Sequence, residues 1–257
     1  MITYSRTIAI KLQPIFKRSL IVQARQASVV AKKLNDLTNE LPLHDCIKFS
    51  KHEKIWTHHE LKGQSEALAS GWADWGCKPG DAIAIWLPEY VEKVACQMAA
   101  AIGGFKIVIV DPTLGSVENF EKVLSETNPK LVIVEGELSS NLKKAIPEME
   151  YYADHFHHSG RPFRSRKYTN LRFCVHTGFD TEPGFYFFRN MLLYDPDVSP
   201  LHSFQALIKD DTPLSMTFNE KNGKMEAGPI VSHKDVISAE TSWDSIKKIL
   251  NNEFVEL

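Results

Sequence analysis

A long apolar run is the first thing this sequence lacks. Its longest, "MAAAIGGFKIVIV" from Met98 to Val110, carries Lys106 and falls short of the ~20 apolar residues that a helix needs to cross a bilayer. Cysteine is scarce as well. Cys46, Cys77, Cys96 and Cys174 lie far apart with no C-x-x-C pair, which speaks against a zinc site and a secreted disulfide framework and points to a reducing compartment. No G-x-S-x-G, H-E-x-x-H or G-x-x-x-x-G-K-S/T occurs, so the usual hydrolase elbow, zinc-protease helix and P-loop are missing. What is present is a chain of 257 residues with 43% hydrophobic content, enough to fill a buried core.

Carboxylates are missing from the start of the chain. Residues 1–33 hold Arg6, Lys11, Lys17, Arg18, Arg25, Lys32 and Lys33, and the first acid is Asp36. Setting those seven aside leaves 23 basic residues against 32 acidic ones, so the body from Leu34 onward is about nine charges negative. Nucleic acid is a poor partner for such a body, because phosphate contacts need local positive charge. Residues 1–28 are basic, acid-free and hydroxyl-bearing, the composition of a mitochondrial-type presequence or of an extended arm. The expected location is therefore mitochondrial, in the matrix or on the matrix side of the inner membrane.

Periodicity places the elements. Val30, Leu34 and Leu37 mark a short amphipathic helix, and "CIKFS" and "KIWT" read as a strand hairpin. Thr57 with Glu60 forms a capping box that opens a helix over residues 58–75. "AIAIWL", "KIVIVD" and "PKLVIVE" are continuous apolar strands, separated by helical spacing over residues 89–101 and 117–127. Gly103 and Gly104 serve the turn between helix and strand. Alternating strands and helices indicate an α/β domain over residues 29–257, a mostly parallel sheet flanked by helices. Residues 148–170 read as an irregular surface insertion. "LRFCVHTG" is a further strand, "GFYFFRNMLLY" a helix with core aromatics, and Val236, Ala239, Trp243, Ile246 and Leu250 form a helical tail capped by Ser232 and Asp235.

Several short motifs, in this order, resemble the N-terminal part of the acyl-CoA synthetases and related AMP-binding, adenylate-forming enzymes: "WTHHEL", "GCKPGDAIAIWLPE", "AAIGGFKIVIVDP", "ETNPKLVIVE", "KDDTPLSMTF" and "VSHKDV". The resemblance implies that family's N-terminal α/β subdomain and a phosphate loop, approximately Thr-Ser-Gly-Ser/Thr-Thr-Gly-x-Pro-Lys-Gly, between the last two motifs. Here that stretch holds Thr217, Asn219, Glu220, Lys221, Gly223, Lys224, Glu226 and Gly228. With Gly228 on the last glycine, Glu226 falls on the proline and Ala227 on the lysine. The hydroxyl positions fall on Asn219, Glu220, Asn222 and Gly223. A one-residue shift puts Glu226 on the lysine instead. The loop reads as degenerate, with no catalytic, cofactor or metal residue of its own. The family's adenine, ribose and magnesium contacts and its catalytic C-terminal lysine fall beyond Leu257 by this resemblance.

Other candidates are weaker. His155, His157 and His158 read as a solvated cluster rather than metal ligands, and Asp210 and Asp211 as a turn. The expectation from sequence is a non-enzymatic, structural accessory subunit of a large mitochondrial assembly, a respiratory-chain complex or ATP synthase. Its partners would be other protein subunits, with the membrane surface as a contact for the arm. Phe185, Phe187 and Tyr194 are candidates for the docking face. The alternatives are a regulatory module that binds a nucleotide, CoA or acyl group, and half of a split acyl-CoA ligase.

Overall fold

Strands without a polar face need cover on both sides, and the chain supplies it. The computed structural model describes residues 28–50, 53–152, 164–195, 199–221, 223–239 and 241–257. Residues 1–27 of the basic arm and His155, His157 and His158 lie outside them. Helix α1 (Val29–Glu40) leads into strands β1 (Asp45–Phe49) and β2 (Lys54–Thr57) and helix α2 (His58–Asp74). Then come β3 (Ala82–Trp86), α3 (Val91–Gly103), β4 (Lys106–Val110), α4 (Val117–Thr127), β5 (Leu131–Val134), α5 (Ser139–Ala145), β6 (Phe173–His176) and β7 (Tyr186–Phe187). The last part holds α6 (Leu201–Gln205), β8 (Pro213–Lys221), β9 (Lys224–Ala227), β10 (Val231–Ser232), α7 (Val236–Ala239), α8 (Asp244–Leu250) and β11 (Val255–Glu256).

The main sheet runs β10-β8-β4-β3-β5-β6-β7, with β9 added to β8. Every pairing from β8 through β7 is parallel, and β9 and β10 run antiparallel to β8. Helix α3 carries the chain from β3 to β4, and α4 brings it back to β5 on the other side of β3. The sheet order therefore reverses at β3. Side chains alternate across the sheet. Ile83, Ile85, Ile107, Ile109, Leu131 and Ile133 enter the core under α1, α2 and α3. Ala84, Trp86, Val108, Val110, Val132 and Val134 enter the second core with Phe120, Val123 and Leu124 of α4. A smaller sheet, β11-β1-β2, pairs Ile47 with Val255 and ties the last residues to the start of the domain.

Local chemistry sets the boundaries. The Thr57 hydroxyl accepts from Glu60 N at 3.2 Å and the Glu60 carboxylate accepts from Thr57 N at 2.9 Å, closing the capping box. Gly104 ends α3 at φ +72°, its N–H donating to the Ala100 carbonyl, and a Cβ there would lie 2.8 Å from Ile208. At Gly103 a Cβ would meet the Phe105 ring at 2.2 Å. Gly104 thus serves the backbone, and Gly103 leaves room for the Phe105 ring.

Two expectations change. Residues 184–194 are not a helix: Tyr186 and Phe187 pair with Val175 and His176, and Phe188–Met191 makes a short 3-10 turn. The open edge of β6 takes a strand from residues that favour extended backbone. The tail breaks into α7, a 3-10 turn at Thr241–Trp243 and α8, because the Trp243 indole turns inward to donate to Ser215 Oγ at 3.0 Å. Of the segment read as a surface insertion, residues 153–163 lie outside the described residues, and Met149 and Tyr168 on either side are each 1% exposed.

Candidate functional site

The stretch singled out as a degenerate phosphate loop is an antiparallel ribbon. Phe218, Asn219, Glu220 and Lys221 of β8 pair with Ala227, Glu226, Met225 and Lys224 of β9, and Gly223 turns the chain at φ +72°. The sequence carried the signal for it, because Asn222-Gly223 between two runs favours a tight hairpin. Asn222 lies outside the described residues.

Strand alternation decides which side chains share a face. Phe218 and Met225, both buried, lie on the same face as Glu220. Asn219, Lys221, Lys224 and Glu226 occupy the opposite face and are exposed. Glu220 and Glu226 therefore cannot both confront one triphosphate. Gly228 has a backbone role: its N–H donates to the Thr217 carbonyl at 2.8 Å, and a Cβ would sit 2.9 Å from that oxygen. Lys122 Nζ of α4 donates to the Met225 carbonyl. Thr217 Oγ1 lies 3.4 Å from Ser242 Oγ, and Gln97 Nε2 donates to the Ser242 carbonyl at 2.9 Å.

At the start of β8, away from the ribbon, His233 donates its backbone N–H to the Thr212 carbonyl at 3.0 Å and is fully buried, with no hydrogen-bond partner on either ring nitrogen among the described residues. Burial pulls it down to about 4, against a weaker opposing pull from Asp210. It is a neutral core histidine at neutral pH. Asp210 and Asp211 sit in the turn before β8, where Thr212 N donates to the Lys209 carbonyl at 3.0 Å. Burial also pushes the thiols of Cys46, Cys77 and Cys174 up to about 12, which keeps them protonated and unreactive. Among the described residues no group of three or more His, Cys, Asp or Glu could hold a metal ion, and no helix is long and apolar enough to cross a membrane.

A second feature lies at the C-terminal ends of the parallel strands, where open α/β sheets place ligands. A cleft of about 170 Å³ is lined by Glu92 in the first turn of α3, Thr177 and Gly178 after β6, Phe179, and Phe187, Phe188 and Arg189 at the end of β7. Sequence reading took Phe187 and Phe188 as core, with Phe187 also a candidate for the docking face. The structure divides them: Phe185 is buried and so cannot serve a docking face, Phe187 and Phe188 are half-buried in the cleft wall, and Phe179 is 97% exposed. Tyr194 is exposed, with its hydroxyl donating to Gln64 Oε1 at 3.0 Å.

Comparison with known proteins bears on both regions. The profile of the AMP-binding enzyme family matches residues 38–167, half of the chain. The mitochondrial medium-chain acyl-CoA ligase of zebrafish, Danio rerio, is 23% identical over 220 residues, covering 83% of this chain and 35% of that protein. A protein of Rhodopseudomonas palustris assigned as a long-chain fatty-acid CoA ligase superposes with a TM-score of 0.68 at 14% identity, over 91% of this chain and 57% of that one. The luciferase-like enzyme of the mealworm Zophobas morio gives 0.66 at 17% identity, over 90% and 54%. The chain thus spans about a third of the curated ligase and little more than half of the solved relatives. These matches are to ligases and related enzymes, and they overturn the expectation of a structural subunit of a respiratory-chain complex or ATP synthase. The doubly covered parallel sheet is the N-terminal fold of the adenylate-forming enzymes, and the chain belongs to the AMP-binding enzyme family.

Proposed function

We propose that the chain is the N-terminal part of an adenylate-forming acyl-CoA ligase of mitochondria, and that acyl activation needs residues outside these 257, on the same polypeptide or another. The observation that carries this reading is the family match over residues 38–167, which spans the same strands and helices that form the centre of the sheet. A mitochondrial site is supported by the name of the zebrafish relative and by the acid-free basic start of the sequence.

The ribbon supports the second clause. Whichever face it turns to a triphosphate presents a carboxylate, Glu220 on one side and Glu226 on the other. Two unit charges about 4 Å apart repel by roughly 4 kcal/mol at an effective dielectric of 20. Lys221 and Lys224 offset this only on the Glu226 face. The chain alone is therefore a weak ATP binder.

The test compares the recombinant chain with the endogenous protein immunopurified from mitochondria. Each is given ATP, magnesium, a medium-chain acid and hydroxylamine, and acyl hydroxamate is measured. The endogenous preparation should form it and the recombinant chain should not. An endogenous preparation that forms none removes the ligase reading, and an active recombinant chain removes the need for further residues.

A further inference from the structure

We infer that residues 177–185 form an acid-released flap over the ends of β5 and β6, held closed by the neutral ring of His176. The flap is built from contacts outside the β8–β9 ribbon, so it stands apart from the ligase reading. His176 is the last residue of β6 and is 1% exposed. Its ladder partners are Val134 of β5 and Phe187 of β7, which places its side chain in an apolar row. The Phe185 ring meets it edge-on at 5.7 Å between centroids, and the Phe187 ring lies tilted at 5.1 Å. Its Nε2 is buried with no hydrogen-bond partner among the described residues.

The flap backbone rests directly on this ring. A Cβ at Gly178 would stand 2.9 Å from His176 Nδ1, and one at Gly136 would stand 3.0 Å from the Gly178 Cα, so glycine at both positions is what lets the two loops close. Lys143 of α5 fastens the flap through its ion pair with Glu182, its Nζ 5.8 Å from the Phe185 ring centre. Protonation makes both imidazole nitrogens donors, and a buried charge whose N–H lacks an acceptor is costly. Asp180 and Glu182 on the flap favour the imidazolium and Lys143 opposes it, while β5 and β7 offer it only Val134 and Phe187. Arg189, 4.9 Å from the Phe187 ring centre, adds a second cation nearby. Burial is the largest of these influences and holds the closed ring below its ordinary value. Opening returns the ring to water, so acid favours the open form. The opened flap uncovers the C-terminal ends of the parallel strands, where open α/β sheets place ligands.

The experiment is hydrogen exchange of the full chain at pH 7.5 and 5.5, read on peptides that cover residues 177–187 and corrected for intrinsic exchange. Protection of the flap should fall about tenfold at the lower pH, the ratio for one group that titrates near 6.5 when open and stays neutral when closed. His176→Phe and His176→Asn cannot take up the proton, so each should abolish the fall, and the use of both keeps the test intact if one does not fold. His233→Phe should leave the fall in place, which separates flap opening from loss of global stability. Flap protection that is constant with pH, that falls as much in a folded His176 variant as in the parent, or that no longer falls in His233→Phe would each overturn the assignment.

Discussion

Strands β3, β4 and β5 bury every residue except Lys106, whereas β8 buries Leu214, Ser215 and Phe218 alone and ends in a ribbon with β9 whose remaining side chains are mostly exposed. Both belong to one sheet, yet the helices cover them differently. The central strands lie between α3 on one face and α4 on the other. Past Phe218, β8 ends in the exposed residues Asn219, Glu220 and Lys221, and Lys122 of α4 donates to the Met225 carbonyl of β9 beside them. The centre is a scaffold whose residues are chosen by volume. The ribbon is a place where side chains can change with little effect on folding.

The sharpest way to break this comparison is at Trp86. Its side chain is fully buried, 4.5 Å from the Phe120 ring between centroids, and its loss leaves a large cavity. Trp86→Ala should cost about 3–5 kcal/mol in urea denaturation of the full chain. A cost below about 1 kcal/mol would mean that the centre is not tightly packed.

The next effect is set by pH. His233 titrates near 6.5 when unfolded and at about 4 when folded. Between those values the unfolded chain binds the proton and the folded chain does not, so stability falls as pH drops through the window, by roughly 3 kcal/mol in all. Burial lowers His58 and His176 too, which adds in the same direction. Urea midpoints measured from pH 7 to 4.5 should decline less steeply in His233→Phe than in the parent chain. Parallel slopes would show that His233 is not held neutral.

A smaller effect belongs to Gly104. Its φ of +72° and the 2.8 Å approach to Ile208 predict that Gly104→Ala lowers stability by about 1–2 kcal/mol. An unchanged melting temperature would count against a backbone role. The smallest effect is on the ribbon, where Glu226→Lys should alter stability by no more than about 0.5 kcal/mol. A larger loss would place Glu226 in an interaction that sharpens the ribbon from a tolerant surface into a structural element.

The same contrast governs what could be read in advance. In residues 54–134 the capping box at Thr57, the glycine stop at Gly103 and Gly104, and three doubly apolar strands each carry a local cause, and the elements lie where those causes put them. Residues 184–194 were misassigned because an aromatic and aliphatic run is compatible with a helix or with extended backbone, and the open ladder of β6 draws Tyr186 and Phe187 into a strand. The ribbon was readable from Asn222-Gly223 but was obscured by the family's loop pattern.

Composition, strand pattern and motif order by themselves determined an α/β domain, its central elements and its family, because burial on both faces and helix capping are encoded within a few residues of each position. The break in the tail and the cleft were decided only by tertiary structure. Each depends on groups far apart in the chain: Trp243 against Ser215, and Glu92 of α3 brought to the same rim as Phe187 and Arg189. No local pattern specifies such meetings, since they arise from the order in which the strands are laid into the sheet.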